Sequence, residues 1–455
     1  MINKLNQRNI TIGNIALRGV IELNQHIKPK IVIVGGGAGG LELATQLSKK
    51  LGNKRAEILL IDKNRTHIWK PLLHEVATGS LDPELDGVVY SAHAYKHGYQ
   101  FELGELISLD PENKSITLAP RNDIRGNPLL PERQIQYDKL VLAVGSVSND
   151  FGTPGVQENC YFMDTHAQAQ QFHIELLDNF TRLNLTEEKP ILNIAIVGGG
   201  ATGVELSAEL NHVADMIHQY GLCKINASRL SISLIEAGSR ILPALSERLS
   251  NAARKQLTSL GIKVMENIRV SEATKEGYIT SDDTLIKADM MVWAAGVKAP
   301  DFLKKISAFE LNRANQIMVD INLKAKGQEN IYVLGDCCAF VQPNGSLVPP
   351  RAQSAHQMAQ CICTNIDNEL KNKALKTYKY VDHGSLVNLS KFQTLGNLLG
   401  NPQSNRMFIE GKFARLMYLS LYRMHQMAIH GLSKTLGLIM AEKILKTVKP
   451  KMKLH

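Results

Sequence analysis

Two segments of the chain repeat one pattern of apolar and polar positions. The first is Ile31-Val-Ile-Val-Gly-Gly-Gly-Ala-Gly-Gly40-Leu-Glu-Leu-Ala and the second Ile194-Ala-Ile-Val-Gly-Gly-Gly-Ala-Thr-Gly203-Val-Glu-Leu-Ser. Each is a β-branched run, a glycine turn and then apolar residues at helical spacing. A further apolar run closes on an acid after each, Ile58 to Ile61 before Asp62 and Leu230 to Ile235 before Glu236. Strand, turn, helix and strand make a βαβ unit, so two such units, about 160 residues apart, predict an α/β chain with two Rossmann-like domains. Apolar runs that stop at glycine, Leu140 to Val144 before Gly145, Met290 to Ala295 before Gly296 and Ile331 to Leu334 before Gly335, suit buried parallel strands.

This interrupted order predicts that the second domain is inserted into the first. The expected boundaries are an extension over residues 1–28, a first domain over 29–180 and again 319–377, a second over 181–318, and a distinct C-terminal region over 378–455. In that last region short strand-like pieces, Gly384 to Leu389 and Met407 to Ile409, give way to helical stripes. Phe413, Leu416, Met417, Met424, Met427 and Ala428 form one stripe; after Gly431, Leu432, Leu436, Ile439, Met440 and Ile444 form another. Nine basic residues between Lys412 and Lys453 accompany them against Glu442 alone. That is the composition of in-plane amphipathic helices on an anionic lipid surface, over 411–455.

At 455 residues the chain exceeds a single core. Hydrophobic residues at 44% and charged residues at 21% describe a globular fold rather than a disordered one. The formal charge of +9 is concentrated towards the end. The six cysteines form no CxxC pair, so neither a zinc site nor a disulfide framework is expected, and a reducing compartment is favoured. An apolar stretch of about 18 residues is absent, and residues 1–28 read as an extension rather than a secretory signal.

In the first fingerprint Gly35 permits the turn, Gly37 lets backbone approach a pyrophosphate and Gly40 lets the helix pack against the strand. Asp62 is placed to bind a ribose diol. Gly198, Gly200 and Gly203 take the same parts in the second copy, where Glu236 suits the 2'-hydroxyl of NADH and repels a 2'-phosphate. Arg240 stands four residues on and is the one feature that blurs this preference. Gly145 and Asp336, at strand ends of the first domain, are expected beside its cofactor. Gln353 and Gln357 share a helix face and offer two amides to the carbonyls of a flat quinone.

Both fingerprints, the Gly335-Asp336 turn and Ala352-Gln-Ser-Ala-His-Gln357 together resemble the type II NADH:quinone oxidoreductases, single-chain, non-pumping respiratory flavoproteins. Lys70-Pro-Leu-Leu-His-Glu-Val-Ala-Thr-Gly79, Val292-Trp-Ala-Ala-Gly-Val297 and Asp382-His-Gly-Ser-Leu-Val387 match that family's patterns as well. The resemblance implies a glutathione-reductase-like fold, with non-covalent FAD on Gly35, Gly37, Gly40, Asp62 and Asp336 and with Pro71, Leu72 and Leu73 lining the isoalloxazine. It implies NADH on Gly198, Gly200, Gly203, Glu236, Ala295 and Gly296, and proton supply near Glu205. Gln353, Gln357 and Lys391 would stand at the quinone end, on the cytoplasmic face of a bacterial inner membrane. A homodimer is left open, and no nucleic-acid motif is present. The family usually has tyrosine where His74 stands, so titration near neutrality is expected there. One rival is a sulfide:quinone oxidoreductase using Cys160 with Cys337 or Cys338; another is a non-catalytic signalling flavoprotein.

Overall fold

The computed structural model describes residues 28–186, 190–217, 220, 222, 225, 227–388, 394–398, 407–410, 412–448 and 452–453. Lys391 and the extension as far as residue 27 lie outside these residues.

The β-branched runs become the central strands of two parallel sheets. In the first sheet the order is Ile331–Val333, Lys139–Leu142, Lys30–Val34, Glu57–Asp62 and Gln100–Leu103. The chain therefore comes back to its starting sheet at Ile331, after the second glycine turn. The second sheet runs Lys263–Met265, Leu230–Ile235, Leu192–Val197 and Met290–Trp293. Ile31, Ile33, Leu60, Leu140 and Val141 are fully buried in one core, and Ile196, Leu234 and Val292 are buried in another. Each such side chain contributes about 1.5–3 kcal/mol.

The sheets meet near the C-terminal ends of their strands. Val147–Ser148 pairs with Val297–Lys298, Tyr161 bridges Val292, and Trp293 Nε1 donates to the Asn149 carbonyl at 2.9 Å. Ligands bind in such sheets at the C-terminal ends of the strands, where each glycine turn stands.

A three-stranded antiparallel sheet, Gly384–Asn388, Thr394–Leu398 and Met407–Glu410, precedes helices Lys412–His430 and Leu432–Val448. Gly431 breaks the helices apart at φ +82°. No helix among the described residues is long and apolar enough to cross a membrane. The two helices are not alike. The first buries His425, Gln426 and Ile429 and exposes Met424 and Met427, whereas the second buries Thr435 and exposes Leu432, Leu436, Met440 and Ile444. The first helix is thus docked on the protein through a face other than its expected apolar stripe, to which the exposed Met424 and Met427 belong. The chain then turns back: Met452 is buried and the Lys453 N–H donates to the Gly79 carbonyl at 2.8 Å.

Candidate functional site

The two glycine turns have the same construction. Gly35 takes φ +105° and Gly198 φ +115°, a region where an added Cβ is strained. A Cβ at Gly40 would collide with the Gly35 carbonyl, and one at Gly203 with the Gly198 carbonyl. At Gly37 and Gly200, by contrast, a Cβ would meet nothing within 4 Å. Each turn is therefore tight where helix meets strand and open where the helix N-terminus presents its free N–H groups. This is a cradle suited to a pyrophosphate, and both FAD and NADH carry one.

The strand-end acids do more than face the cradle. Asp62 Oδ2 accepts the Gly36 N–H at 2.7 Å and Oδ1 accepts the Asn64 N–H at 2.7 Å. Glu236 Oε2 accepts the Gly199 N–H at 2.7 Å, and Oε1 accepts the Gly238 N–H at 2.6 Å. Each carboxylate thus braces the turn beside it and keeps lone pairs for a diol. Burial pushes the Asp62 carboxyl up, against the hydrogen bonds from Asn64 and Gly36. Arg240 donates to the Pro243 and Leu245 carbonyls. Its guanidinium is thereby tied to its own loop.

At the ends of the first sheet Asp336 Oδ2 accepts from Ser146 Oγ at 2.7 Å, and the Asp336 carbonyl accepts from Gln316 Nε2 at 2.8 Å. Lys70 Nζ reaches the Ser146 carbonyl at 2.8 Å and Asp164 at 3.5 Å. Gly145, at φ +72°, leaves open space beside this polar ring. Pro71 is exposed, while Leu72 and Leu73 are buried, Leu73 in the second core. Ala295 is half-buried and Gly296 exposed at the junction of the sheets. Lys70, Ser146, Asp164, Gln316 and Tyr90, whose hydroxyl donates to the Gly36 carbonyl at 2.7 Å, were not singled out from the sequence. A lone serine, glutamine or tyrosine has no local signature.

Behind the Pro71 segment, His74 and Glu205 are both buried, with Nδ1 and Oε2 3.8 Å apart. Burial pushes His74 down to about 4, with a hydrogen bond to Pro71 opposing it. This corrects the expected titration near neutrality: the imidazole is neutral there because its charged form is desolvated. The cysteines of the sulfide-type rival are likewise protonated. Burial raises Cys160 to about 11 and Cys337 to about 12, and it raises Cys338 as well.

Gln353 and Gln357 do share one face of helix Ala352–Glu369, but both amides are engaged. Gln357 Nε2 donates to the Val381 carbonyl at 2.8 Å, and its Oε1 accepts the Val381 N–H at 2.9 Å. Gln353 Nε2 donates to the Gly384 carbonyl at 3.0 Å, and its Oε1 accepts the His383 N–H at 3.2 Å. They clamp the segment leading into strand Gly384–Asn388.

Comparison with known proteins agrees with this geometry. Residues 29–359 match the family model described as pyridine nucleotide-disulphide oxidoreductase. The chain is 47% identical over 442 residues to the type II NADH:quinone oxidoreductase of Haemophilus influenzae, covering 93% of this chain and 99% of that one. This chain belongs to the type II NADH:quinone oxidoreductases. The Staphylococcus aureus member of the family is 28% identical, over 86% of this chain and 93% of its own. Among solved structures, NDH2 from Plasmodium falciparum in complex with NADH superposes with a TM-score of 0.78 at 22% identity, covering 94% of this chain and 100% of that one. The sulfide:quinone oxidoreductase of Aquifex aeolicus shares the fold as well, with a TM-score of 0.70 at 18% identity, over 93% of this chain and 96% of its own. Fold alone does not separate the two activities; the sequence likeness does.

Proposed function

We infer that this chain oxidises NADH and reduces a quinone with FAD as carrier, and we propose specific residues for each part. The observation that carries the reading is the pair of braced, open glycine turns on sheets joined through Val147–Ser148 and Val297–Lys298. FAD, when bound, accepts two electrons from NADH and releases them to quinone. Gly35, Gly37 and Gly40 would hold its pyrophosphate, with Asp62 and Asp336 at its hydroxyl groups and Gly145 and Pro71 beside it. Gly198, Gly200 and Gly203 would receive the NADH pyrophosphate, with Glu236 on the adenosine ribose and Ala295 and Gly296 at the junction. Quinone reduction needs two protons, and Glu205 beside the neutral His74 is the group proposed to hand one on. Gln353 and Gln357 act at the quinone end by fixing the 381–384 segment; Lys391 is retained as a proposal from family likeness.

The exposed residues Leu432, Leu436, Met440 and Ile444, with the exposed Lys434 and Lys443 nearby, support peripheral attachment to an anionic lipid surface. The cytoplasmic face of a bacterial inner membrane is proposed as its site. The purified protein should be yellow, bleach anaerobically on NADH and recover colour with a soluble quinone. A flavin-free preparation that still turns over defeats this reading.

A further inference from the structure

Glu42 lies on helix Ala38–Arg55, whose N-terminus forms the first glycine turn, and it is 2% exposed. Two imidazoles approach it from two other helices. His425 Nδ1 of helix Lys412–His430 lies 2.8 Å from Oε1, and His356 Nδ1 of helix Ala352–Glu369 contacts Oε2. The chain of contacts continues on both sides. His425 Nε2 is 3.0 Å from His67 Nε2, and His356 Nε2 is 2.8 Å from Gln360 Nε2 at the surface. Trp69 lies against the His425 ring at 4.1 Å between centroids. A buried carboxylate thus joins the turn helix, the glutamine helix and the docked C-terminal helix.

We propose that Glu42 is a positioning residue that fastens helix Lys412–His430 to the glutamine helix, acting through His425 and His356. Since Gly431 links that helix directly to the exposed helix Leu432–Val448, the fastening also fixes the membrane-facing stripe relative to the quinone end. This last step rests on the membrane reading above; the fastening itself does not. A buried ion needs its partners, so removing the one charge between two imidazoles should release the helix rather than soften it slightly.

The surrounding groups make the fastening sensitive to acid. His67, His93 and His97 face helix Lys412–His430 from the first domain, with Tyr90 beside His67 and Lys96 beside His97. The helix itself brings Tyr422, Arg423 and His430, and the following helix brings Lys434 and Glu442, the latter paired with Arg423. Asp62 lies near Tyr90 and Asp86 near Tyr422. His93 Nε2 donates to the Ile429 carbonyl at 3.0 Å, so its ring is part of the docking. Burial lowers His67, and it lowers His93 and His430 to about 4. An opened helix would let these three take protons at the ordinary histidine value, so docking is lost as pH falls from about 6.5 towards 4. His356, raised by its bond to Glu42, works the other way, against His67, His93 and His430 and also against His97, which burial lowers.

Amide hydrogen exchange on the full-length flavin-loaded protein, without membranes, tests this. At about pH 7.5, Glu42→Gln should exchange about tenfold faster across 412–430, with strands Leu192–Val197 and Leu230–Ile235 unchanged. Wild-type protection across 412–430, corrected for intrinsic rates, should fall between about pH 7.5 and 5.5. His425→Gln serves as a second variant should Glu42→Gln fold poorly, with the same outcome expected. Unchanged exchange in both variants, a wild-type protection indifferent to pH, or equal loss of protection in those two strands each overturns the proposal. Flotation with anionic vesicles is read separately: wild type that stays off them removes the membrane reading and leaves the fastening to the exchange data.

Discussion

Gln357 and Val381 are joined twice, side-chain nitrogen to carbonyl at 2.8 Å and side-chain oxygen to N–H at 2.9 Å, as two strands would be. The amide therefore substitutes for a ladder partner and sets where the chain enters strand Gly384–Asn388. Gln357→Leu removes both bonds while keeping most of the volume. Quinone reduction should slow by about tenfold, the scale of one or two lost hydrogen bonds, while anaerobic bleaching by NADH stays fast. Stopped-flow absorbance of the two half-reactions checks this, and equal slowing of both would argue against a role confined to the quinone end.

Glu236 carries two duties, bracing Gly199 and Gly238 and offering its charge to a ribose. Glu236→Gln keeps one acceptor for the turn but loses the charge that repels a 2'-phosphate. The ratio of kcat/KM for NADH to that for NADPH should fall by about tenfold or more, roughly 1.4 kcal/mol. An unchanged ratio would show that the acid serves the turn alone.

The parallel strands, the glycine turns and the acids that end them were legible because each is written within a few adjacent residues. Ile31 to Val34 must be buried on both faces, and the Gly35 turn can follow only if no side chain intervenes. Other features were illegible for the opposite reason. His425 and Glu42 are 383 residues apart, so no periodicity relates them. The docking of helix Lys412–His430 was hidden because it runs through His425, Gln426 and Ile429, mostly polar side chains off the apolar stripe, whose Met424 and Met427 stay exposed. Strand Thr394–Leu398, rich in glycine and asparagine, carries no alternation to notice.

Gly40→Ala and Gly37→Ala should fail differently. The first pushes a methyl group into the Gly35 carbonyl and should destabilise the fold by about 3 kcal/mol. The second meets open space and should leave stability within about 0.5 kcal/mol, but it fills the cradle. Urea unfolding should separate the two, while flavin content should drop in both. Full flavin in a stable Gly37→Ala protein would move the pyrophosphate elsewhere.

His74 contributes to stability in the neutral form. Its native value is near 4 and the ordinary value about 6.5, so protons bind the unfolded chain first as pH falls. Its contribution is present above about pH 6.5 and is lost progressively towards 4, a change on the order of 3 kcal/mol. His74→Gln, neutral throughout, should shrink the difference in urea midpoint between about pH 7.5 and 5. If wild type and variant lose stability in parallel, His74 is not buried as neutral imidazole.

The unequal burial of the two C-terminal helices separates membrane attachment from folding. Leu436 and Met440 are exposed, so exchanging both for glutamate removes nothing from the core. It does place two anions on the stripe proposed to enter the lipid interface, where the buried apolar area supplies the insertion energy. The lysines beside that stripe add about 1 kcal/mol each near an anionic surface, a share that salt screens. Leu436→Glu with Met440→Glu should therefore keep the wild-type urea midpoint, flavin content and turnover with soluble quinone. Binding to anionic vesicles should fall by at least tenfold, and residual binding should be more salt-sensitive than that of wild type. Deleting everything after Glu410 is a different experiment, because it also removes the buried His425, Ile429 from the first core and Met452 from the second. That truncation should cost stability and flavin, by leaving Glu42 without one of its two imidazoles. A double variant that binds vesicles as firmly as wild type would place the attachment on another surface; a truncated chain as stable as wild type would show that the docked helix contributes nothing to the core.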